Sequence, residues 1–132
     1  MTGGTDLQQL IAGMRPELMP GVFVFVTTQD VTVAGLPARM RFEEAEGTTL
    51  IMTAEEAAQA GLAGSFRSRM ITLNVHSSLE AVGFLARIAT RLAAEGMGVN
   101  PVAGFYHDHL FVPEDRAEDA METLREMAAT AR

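Results

Sequence analysis

The stretch Arg69–His76, RMITLNVH, and the SSLEAVGFLARIATRLAAEG that follows it at Ser77–Gly96 decide the fold of the second half of the chain. Apolar and polar residues alternate in ITLNV, which is typical of a strand with one buried face. Ser77–Glu80 has the S-x-x-E order of a capping box, and apolar residues then recur at helical spacing up to a glycine stop. The sequence therefore predicts a strand followed at once by a long helix beginning at Ser77.

The remaining residues of this half complete a recognisable order of elements. Val99–Phe105 and Leu110–Val112 are predicted strands, and a final helix starts near Glu114. Because Pro101 has no backbone N–H, its strand should lie at a sheet edge. The order strand, helix, strand, strand, helix is a ferredoxin-like split βαβ pattern without its last strand. The missing strand must come from the first half, or the sheet stays open.

The first half contains weaker signals of the same kinds. Short apolar runs predict strands, capped amphipathic runs predict helices, and glycine with proline marks loops. The predicted elements are a helix at Asp6–Met14, a strand at Val22–Val26, a loop at Thr28–Pro37, a hairpin of Arg39–Glu44 with Thr48–Met52, a helix at Ala54–Gly61 and a linker at Gly61–Ser68.

An internal repeat connects the two halves. TLIMTAEEAAQA at Thr49–Ala60 aligns with HLFVPEDRAEDA at His109–Ala120, at a constant shift of 109 − 49 = 60 residues. Each segment is an apolar strand, then an acidic first helical turn, then alanines that allow close helix packing. The alternative explanation is that any strand followed by a helix tends to have this order of residue types. As a repeat, it predicts an α+β fold of two degenerate βαββα units in tandem.

Composition excludes several classes of function. The 132 residues include no cysteine, carry a net charge of −7, and contain ten basic residues that are all scattered arginines. Disulfides, thiolate metal sites and cysteine nucleophiles are thus absent, and nucleic acid is an unfavourable partner. No basic N-terminal region with an apolar run predicts a signal peptide, and no apolar stretch is long enough for a membrane span. We expect a cytoplasmic protein.

The segment ITLNVHSSLEAVGFLARIATRLAAEGMGVNPVAGFYHDHLFVP resembles an ACT domain, a small regulatory module that binds amino acids. The likeness rests on Val75-His76 ending a strand, on Gly83 near the helix start, and on Gly98-Val99-Asn100 opening the next strand. With the repeat, the whole chain resembles a small stand-alone bacterial tandem ACT-domain protein. The loop departs from the family pattern, since no x-Pro-Gly follows the first strand.

This resemblance implies two ferredoxin-like units of the ACT, βαββαβ type, with antiparallel sheets and helices on one face. Residues 1–65 would form a degenerate N-terminal unit and residues 66–132 the C-terminal ACT domain. It also implies a non-enzymatic regulatory or sensor module that binds a small molecule, an amino acid, at an ACT-type interface of a homodimer. No cofactor and no metal are expected.

Two of the three histidines lie in GFYHDHLFVP, at Gly104–Pro113. In a ferredoxin-like unit this segment is a strand–turn–strand, and its histidines should converge with His76 at one end of the sheet. Three interpretations are open: the polar rim of a ligand pocket, a metal site of His76, His109 and Asp108, or a solvated turn. A Ser-His-Asp triad of Ser77, His76 and Asp108 is weaker, because Ser77 fits a helix cap and no G-x-S-x-G motif is present.

The candidate ligand site follows from a helix start that attracts a carboxylate. An amino-acid carboxylate would lie against the amides of Ser78 and Leu79, with Asn100 contributed across a symmetric junction. The predicted ligand-binding residues are His76, Ser77, Ser78, Leu79, Val82, Gly83, Asn100 and Pro101, and the second-tier pocket rim is His107, Asp108 and His109. The alternatives are a protein-interaction or oligomerisation module without a ligand and a small metal-dependent hydrolase.

Overall fold

The structure is a computed structural model that describes residues 6–132. In chain order its elements are α1 (Leu7–Gly13), β1 (Glu17–Leu18), β2 (Phe23–Thr28), α2 (Val31–Ala34), β3 (Met40–Glu44), β4 (Gly47–Thr53), α3 (Ala54–Gln59), β5 (Ser65–Thr72), α4 (Phe84–Ala94), β6 (Asn100–Ala103), β7 (Asp108–Pro113) and α5 (Ala117–Ala131), with a 3₁₀ turn at Glu114–Arg116. None of the helices in this described part has the length and apolar character needed to cross a membrane.

The chain folds into two compact units. The smaller is Gly21–Ser68, and the larger combines residues 6–20 with Arg69–Arg132. Strand β5 supplies residues 65–68 to the smaller unit and 69–72 to the larger. The predicted division of the sequence into repeats at 1–65 and 66–132 stays a prediction.

The larger unit is a sheet in the order β1, β5, β7, β6 with α1, α4 and α5 packed against it. Along the strands, every second side chain points toward the helices, as the ITLNV pattern predicted. They form one core of strand and helix residues that includes Ile71, Leu73, Leu110, Val112, Leu10, Ile11, Ile88, Leu92, Ala120 and Leu124. The prediction of an α+β fold with helices on one face of the sheet is thereby confirmed.

The missing strand of the second half does come from the first half. Strand β1 pairs antiparallel with β5, with Glu17 opposite Thr72 and Leu18 opposite Ile71. Helix α1, which Asp6 caps by accepting from the N–H of Gln9, adds its apolar face to the same core. Residues 6–20 therefore complete the unit formed by the C-terminal half.

Strand β6 lies at the outer end of this strand order and contains Pro101. It pairs with β7 in antiparallel register, from Asn100 opposite Phe111 to Ala103 opposite Asp108. The prediction that Pro101 occupies an edge strand is confirmed, since an edge strand tolerates a missing N–H.

The smaller unit is built on β2, which pairs antiparallel with β4, while β4 also pairs with β3. The predicted hairpin is confirmed, with Glu44 opposite Gly47 across a two-residue turn. Its own core is formed by buried residues of β2, β4 and α3: Val24, Val26, Leu50, Met52 and Ala57.

The predicted repeat corresponds to equivalent structure. Strand β4 runs into α3 just as β7 runs into the 3₁₀ turn and α5. At the shift of 60 residues, Leu50 and Leu110 are both buried strand residues, and Ala57 and Ala117 are both buried helix residues. Alanine at these places lets the helix pack closely on its sheet.

Several boundaries differ from the sequence prediction, among them the end of the strand that was predicted to reach Val75-His76, since β5 ends at Thr72. The predicted loop Thr28–Pro37 contains α2, whose first N–H groups are capped by the Asp30 carboxylate. The predicted linker is wrong at its end, because β5 already begins at Ser65 and Ser68 is buried with its hydroxyl donating to the carbonyl of Phe23. The largest difference is the start of α4, which lies at Phe84 rather than at Ser77.

Candidate functional site

The segment Ser77–Gly83 is a loop, because its two serines form other hydrogen bonds and do not form a capping box. The Ser77 hydroxyl donates to Asp108 Oδ2 at 3.0 Å, and both residues are buried. The Ser78 hydroxyl accepts from the N–H of Glu80, two residues ahead, which closes a local turn. The predicted helix start at Ser77 is therefore wrong, and Leu79 and Val82, expected in the helix core stripe, are exposed.

Helix α4 begins at Gly83, which serves as its N-cap. The backbone φ of Gly83 is +89°, a left-handed conformation that glycine adopts without strain. Glycine has no side chain to cap the helix, and no side-chain hydrogen bond closes this end. The N–H groups of Phe84, Leu85 and Ala86 thus point out of the first turn without intrahelical acceptors, at the positive end of the helix dipole.

The loop, the helix start and the end of β7 enclose a small cleft of about 150 Å³. Four kinds of surface meet there: the loop, the first helical turn, the buried carboxylate of Asp108, and the end of β6. The lining residues are Ser77, Ser78, Leu79, Ala81, Gly83, Phe84, Leu85, Ala86, Ala103 and Asp108. Hydrogen-bond donors and one carboxylate therefore face the same small volume.

Five of the predicted site residues line this cleft: Ser77, Ser78, Leu79, Gly83 and Asp108. Asp108 was expected only at the rim, whereas it is 6% exposed and lies among the lining residues. Val82, which was expected to line a wall, is 85% exposed and is not among them.

His76 packs against the turn that follows β6. Its ring centroid lies 5.4 Å from that of Tyr106 and 6.5 Å from that of Phe105. The two aromatic rings are themselves 5.1 Å apart in an edge-on arrangement, and both residues are largely exposed. His76 belongs to an aromatic cluster beside the cleft rather than to the cleft lining.

The other two histidines have different surroundings. His109 Nδ1 and Thr72 Oγ1 lie 2.9 Å apart on neighbouring strands β7 and β5. His107 Nδ1 is buried and has no hydrogen-bond partner among the described residues, while its carbonyl accepts from the N–H of Gly104 to close the turn. Across residues 6–132, no three histidine or carboxylate side chains are arranged to hold a metal ion.

The triad interpretation does not fit this geometry. Ser77 bonds directly to Asp108, so the hydroxyl proton that a histidine base would remove is directed at a carboxylate instead. His76, the histidine that such a triad needs, packs against Tyr106 with the two rings tilted by 48°.

Asn100 and Pro101 lie at the start of β6, away from the cleft. Asn100 stands opposite Phe111, while the cleft residue Ala103 stands opposite Asp108 at the other end of the same pairing. Three strand residues span about 10 Å. Within one chain, then, Asn100 is separated from the cleft, as the sequence analysis expected.

Sequence reasoning missed the first helical turn, Phe84–Ala86, and the β6 residue Ala103. The sequence signal for this helix start was Gly83. Glycine can serve as an N-cap, and the buried stripe begins at Phe84, so both agree with a helix that starts after Gly83. The S-x-x-E pattern at Ser77–Glu80 predicted a helix start too early in the chain.

The larger unit is thus an antiparallel α+β unit with helices on one face of its sheet and a polar cleft at a helix start. Two family profiles, both described as ACT domain, match residues 2–69 and 65–126. The chain belongs to the ACT-domain family, as two ACT domains in tandem.

Solved structures agree with this assignment. A protein of unknown function from Vibrio cholerae, described as a possible transport protein, is 45% identical, with a TM-score of 0.83 over 92% of this chain and 95% of that one. The ligand-free regulatory subunit of aspartate kinase from Thermus thermophilus is 10% identical, with a TM-score of 0.58 over 85% of this chain and 95% of that one. Aspartokinase alpha and beta subunits give 15% identity and a TM-score of 0.59 over 85% and 95% of the two chains.

At such low sequence identity, the last two structures show only that their fold is the same as that of this chain. No curated protein matches the sequence. The matching families are regulatory, ligand-binding modules, and no catalytic family matches.

Proposed function

We propose that this protein is a non-enzymatic regulatory module that binds an amino acid in the cleft at the start of α4, as a homodimer in the cytoplasm. The observation that carries the proposal is the uncapped first turn of α4, whose N–H groups face a cleft that also contains a buried carboxylate. Free amides at a helix start favour a carboxylate ligand.

Two sets of amides can receive that carboxylate. The sequence pointed to the N–H groups of Ser78 and Leu79, and the late helix start adds those of Phe84–Ala86. Both sets border the same cleft. His76 contributes from beside it, through the aromatic cluster with Tyr106.

Asn100 can reach this cleft from a second copy of the chain. Strand β6 is an edge, and its residues run from Asn100 to the cleft residue Ala103. If two β6 strands pair antiparallel about their midpoint, Asn100 of one copy lies opposite Ala103 of the other. A homodimer of this kind supports the proposed contribution of Asn100 and Pro101 across a symmetric junction.

A site completed by two copies couples the ligand to assembly. What binds only the paired form stabilises pairing, by thermodynamic reciprocity. A thermal-shift screen against the twenty amino acids should find a stabilising ligand, and analytical ultracentrifugation should show that the same ligand tightens the dimer.

The variant Asn100→Ala should weaken both effects, whereas Gln59→Ala, an exposed amide on α3, is the matched control and should change neither. If Asn100→Ala binds the ligand as well as the parent does, and Ser78→Pro also has no effect, the ligand site is elsewhere.

An interaction module without a ligand is the second candidate. Its supporting observation is the exposed apolar surface of Leu79, Val82, Phe105 and Tyr106, with exposed fractions of 57–85%. This alternative predicts a dimer whose dissociation constant is unchanged by any amino acid and rises when Val82 is replaced by Ser.

A further inference from the structure

Asp108 is a buried carboxylate with an incomplete set of partners. It is 6% exposed, and its Oδ2 accepts one hydrogen bond, from the hydroxyl of Ser77. Among the described residues, Ser77 is its one hydrogen-bond donor, and its other oxygen receives no hydrogen bond. Buried charges in proteins are as a rule paired, so this carboxylate is short of one cation.

The place where that cation would enter is the cleft. Asp108 is one of its lining residues, at its inner side where β7 begins. The Ser77 hydroxyl fixes the carboxylate from one side, which leaves the other oxygen for a donor from the cleft. A primary ammonium group suits this position, because it donates up to three hydrogen bonds and carries the missing charge.

The same cleft also contains groups that favour a negative charge. The first turn of α4, at Phe84–Ala86, presents N–H groups to it and favours an anion. A molecule with an ammonium and a carboxylate on one carbon therefore meets a complementary group at each end. A plain carboxylate leaves Asp108 unpaired, and a plain amine leaves the helix amides unpaired.

The cleft also limits the size of the molecule. Its volume is about 150 Å³, and the side chains of Leu79 and Leu85 border it. A protein cavity of about that volume holds one benzene molecule. L-Alanine has as many non-hydrogen atoms as benzene, and glycine and L-serine differ from it by one.

We propose that the ligand is a small α-amino acid of the glycine, alanine and serine class, whose ammonium group binds Asp108 and whose carboxylate binds the first turn of α4. This assignment rests on the proposed function and names the ligand class and the residue that selects it.

The first test uses the unaltered protein and calorimetric titration with L-alanine, propionate and L-leucine. Propionate is alanine without its ammonium group, and leucine is a larger amino acid with both charges. We expect alanine to bind about tenfold or more tightly than propionate, the usual size of a charge-assisted hydrogen bond, and more tightly than leucine.

The results separate the two proposals. If none of the twenty amino acids binds, the proposed function fails. If an amino acid binds but propionate binds equally well, the assignment of Asp108 fails while the proposed function stands. If leucine binds more tightly than alanine, glycine and serine, the size limit fails.

The second test is Asp108→Asn, which keeps the shape and an acceptor for Ser77 but removes the charge. The preference for alanine over propionate should fall from about tenfold to nearly none. Asp115→Asn, the same change at an exposed position beyond the other end of β7, is the control and should keep the full preference. An unchanged preference in Asp108→Asn would overturn the assignment, and the titrations of the unaltered protein decide it even if this variant folds poorly.

Discussion

Two helix starts in this protein have the same sequence signature and opposite structures. At Thr53–Glu56 the capping box is complete: the Thr53 hydroxyl accepts from the N–H of Glu56, and the Glu56 carboxylate accepts from the N–H of Thr53, both at 3.0 Å. At Ser77–Glu80 the same S/T-x-x-E order forms no box, and the helix begins only at Phe84.

The difference comes from a competing partner. Within residues 6–132, the Thr53 hydroxyl bonds to Glu56 alone, three residues ahead. The Ser77 hydroxyl is bound by Asp108, 31 residues away, and a hydrogen bond to a buried charge is stronger than one to a backbone N–H. The closed start satisfies backbone donors of its own first turn, whereas the open start leaves backbone N–H groups without a side-chain cap.

The largest effect is expected for Ser77→Ala. Removing this hydroxyl leaves the buried Asp108 carboxylate without its donor, and the free energy of unfolding should fall by about 2 kcal/mol. Urea denaturation followed by circular dichroism measures it. In a double-mutant cycle with Asp108→Ala, which removes the acceptor as well, most of that loss should disappear. A loss that is the same in both backgrounds would show that the pair does not hold the loop open.

Gly83→Ala should have the next largest effect. At a φ of +89° an alanine is strained, and about 1.5 kcal/mol of stability should be lost. The strain is in the backbone, since an added Cβ would meet only Leu7 Cδ2 at an ordinary 3.7 Å. Gly98→Ala, which has open space and no positive φ, is the control and should be neutral or slightly stabilising. Equal denaturation midpoints for the two variants would contradict the assignment of Gly83 as the N-cap.

Thr53→Ala tests the closed start and should lose about 1 kcal/mol, the usual value of an N-cap. Because the loss is local, the amides of α3 should exchange hydrogen faster, while those of α4 should not change. Thr90→Ala, an exposed change within α4, is the comparison. Protection of α3 that survives the substitution would mean that tertiary packing, and not the box, holds this helix end.

Ser78→Ala should have the smallest effect, below about 0.5 kcal/mol, as for most surface substitutions. Its hydroxyl bonds only the N–H of Glu80 in an exposed turn, where water can replace it. If denaturation instead showed a loss as large as that of Ser77→Ala, the two adjacent serines would not differ in role as the structure indicates.

The periodic elements of this fold could be predicted from the sequence. Helix α1 with its Asp6 cap, the β3–β4 hairpin, the one-faced strand ITLNV and the edge position of Pro101 all follow from local rules. Each depends on residues close in the chain, so spacing alone determines it. Gly96, with a φ of +81°, ends α4 as its position predicted.

The boundaries that were predicted wrongly depend on partners far along the chain. Strand β5 begins at Ser65 because Ser68 is buried by its bond to the carbonyl of Phe23, 45 residues away, although serine gives no strand signal. The start of α4 likewise depends on the bond between Ser77 and Asp108. The loop after the strand pointed to Ser77, Ser78, Leu79 and Gly83, which do line the cleft, but the burial of Asp108 could not be predicted from the sequence.

The packing of α1 against α5 has a consequence for synthesis on the ribosome. The Gln8 side chain donates to the carbonyl of Ala131, and the Arg132 side chain donates to the carbonyl of Ala12, contacts that join residues 123 and 120 positions apart. Domains fold during translation as their residues emerge, so Gly21–Ser68 can fold first. The apolar face of α1 is made before α5 and stays partly uncovered until α5 has been made, so a nascent chain that ends before α5 exposes that face to chaperones.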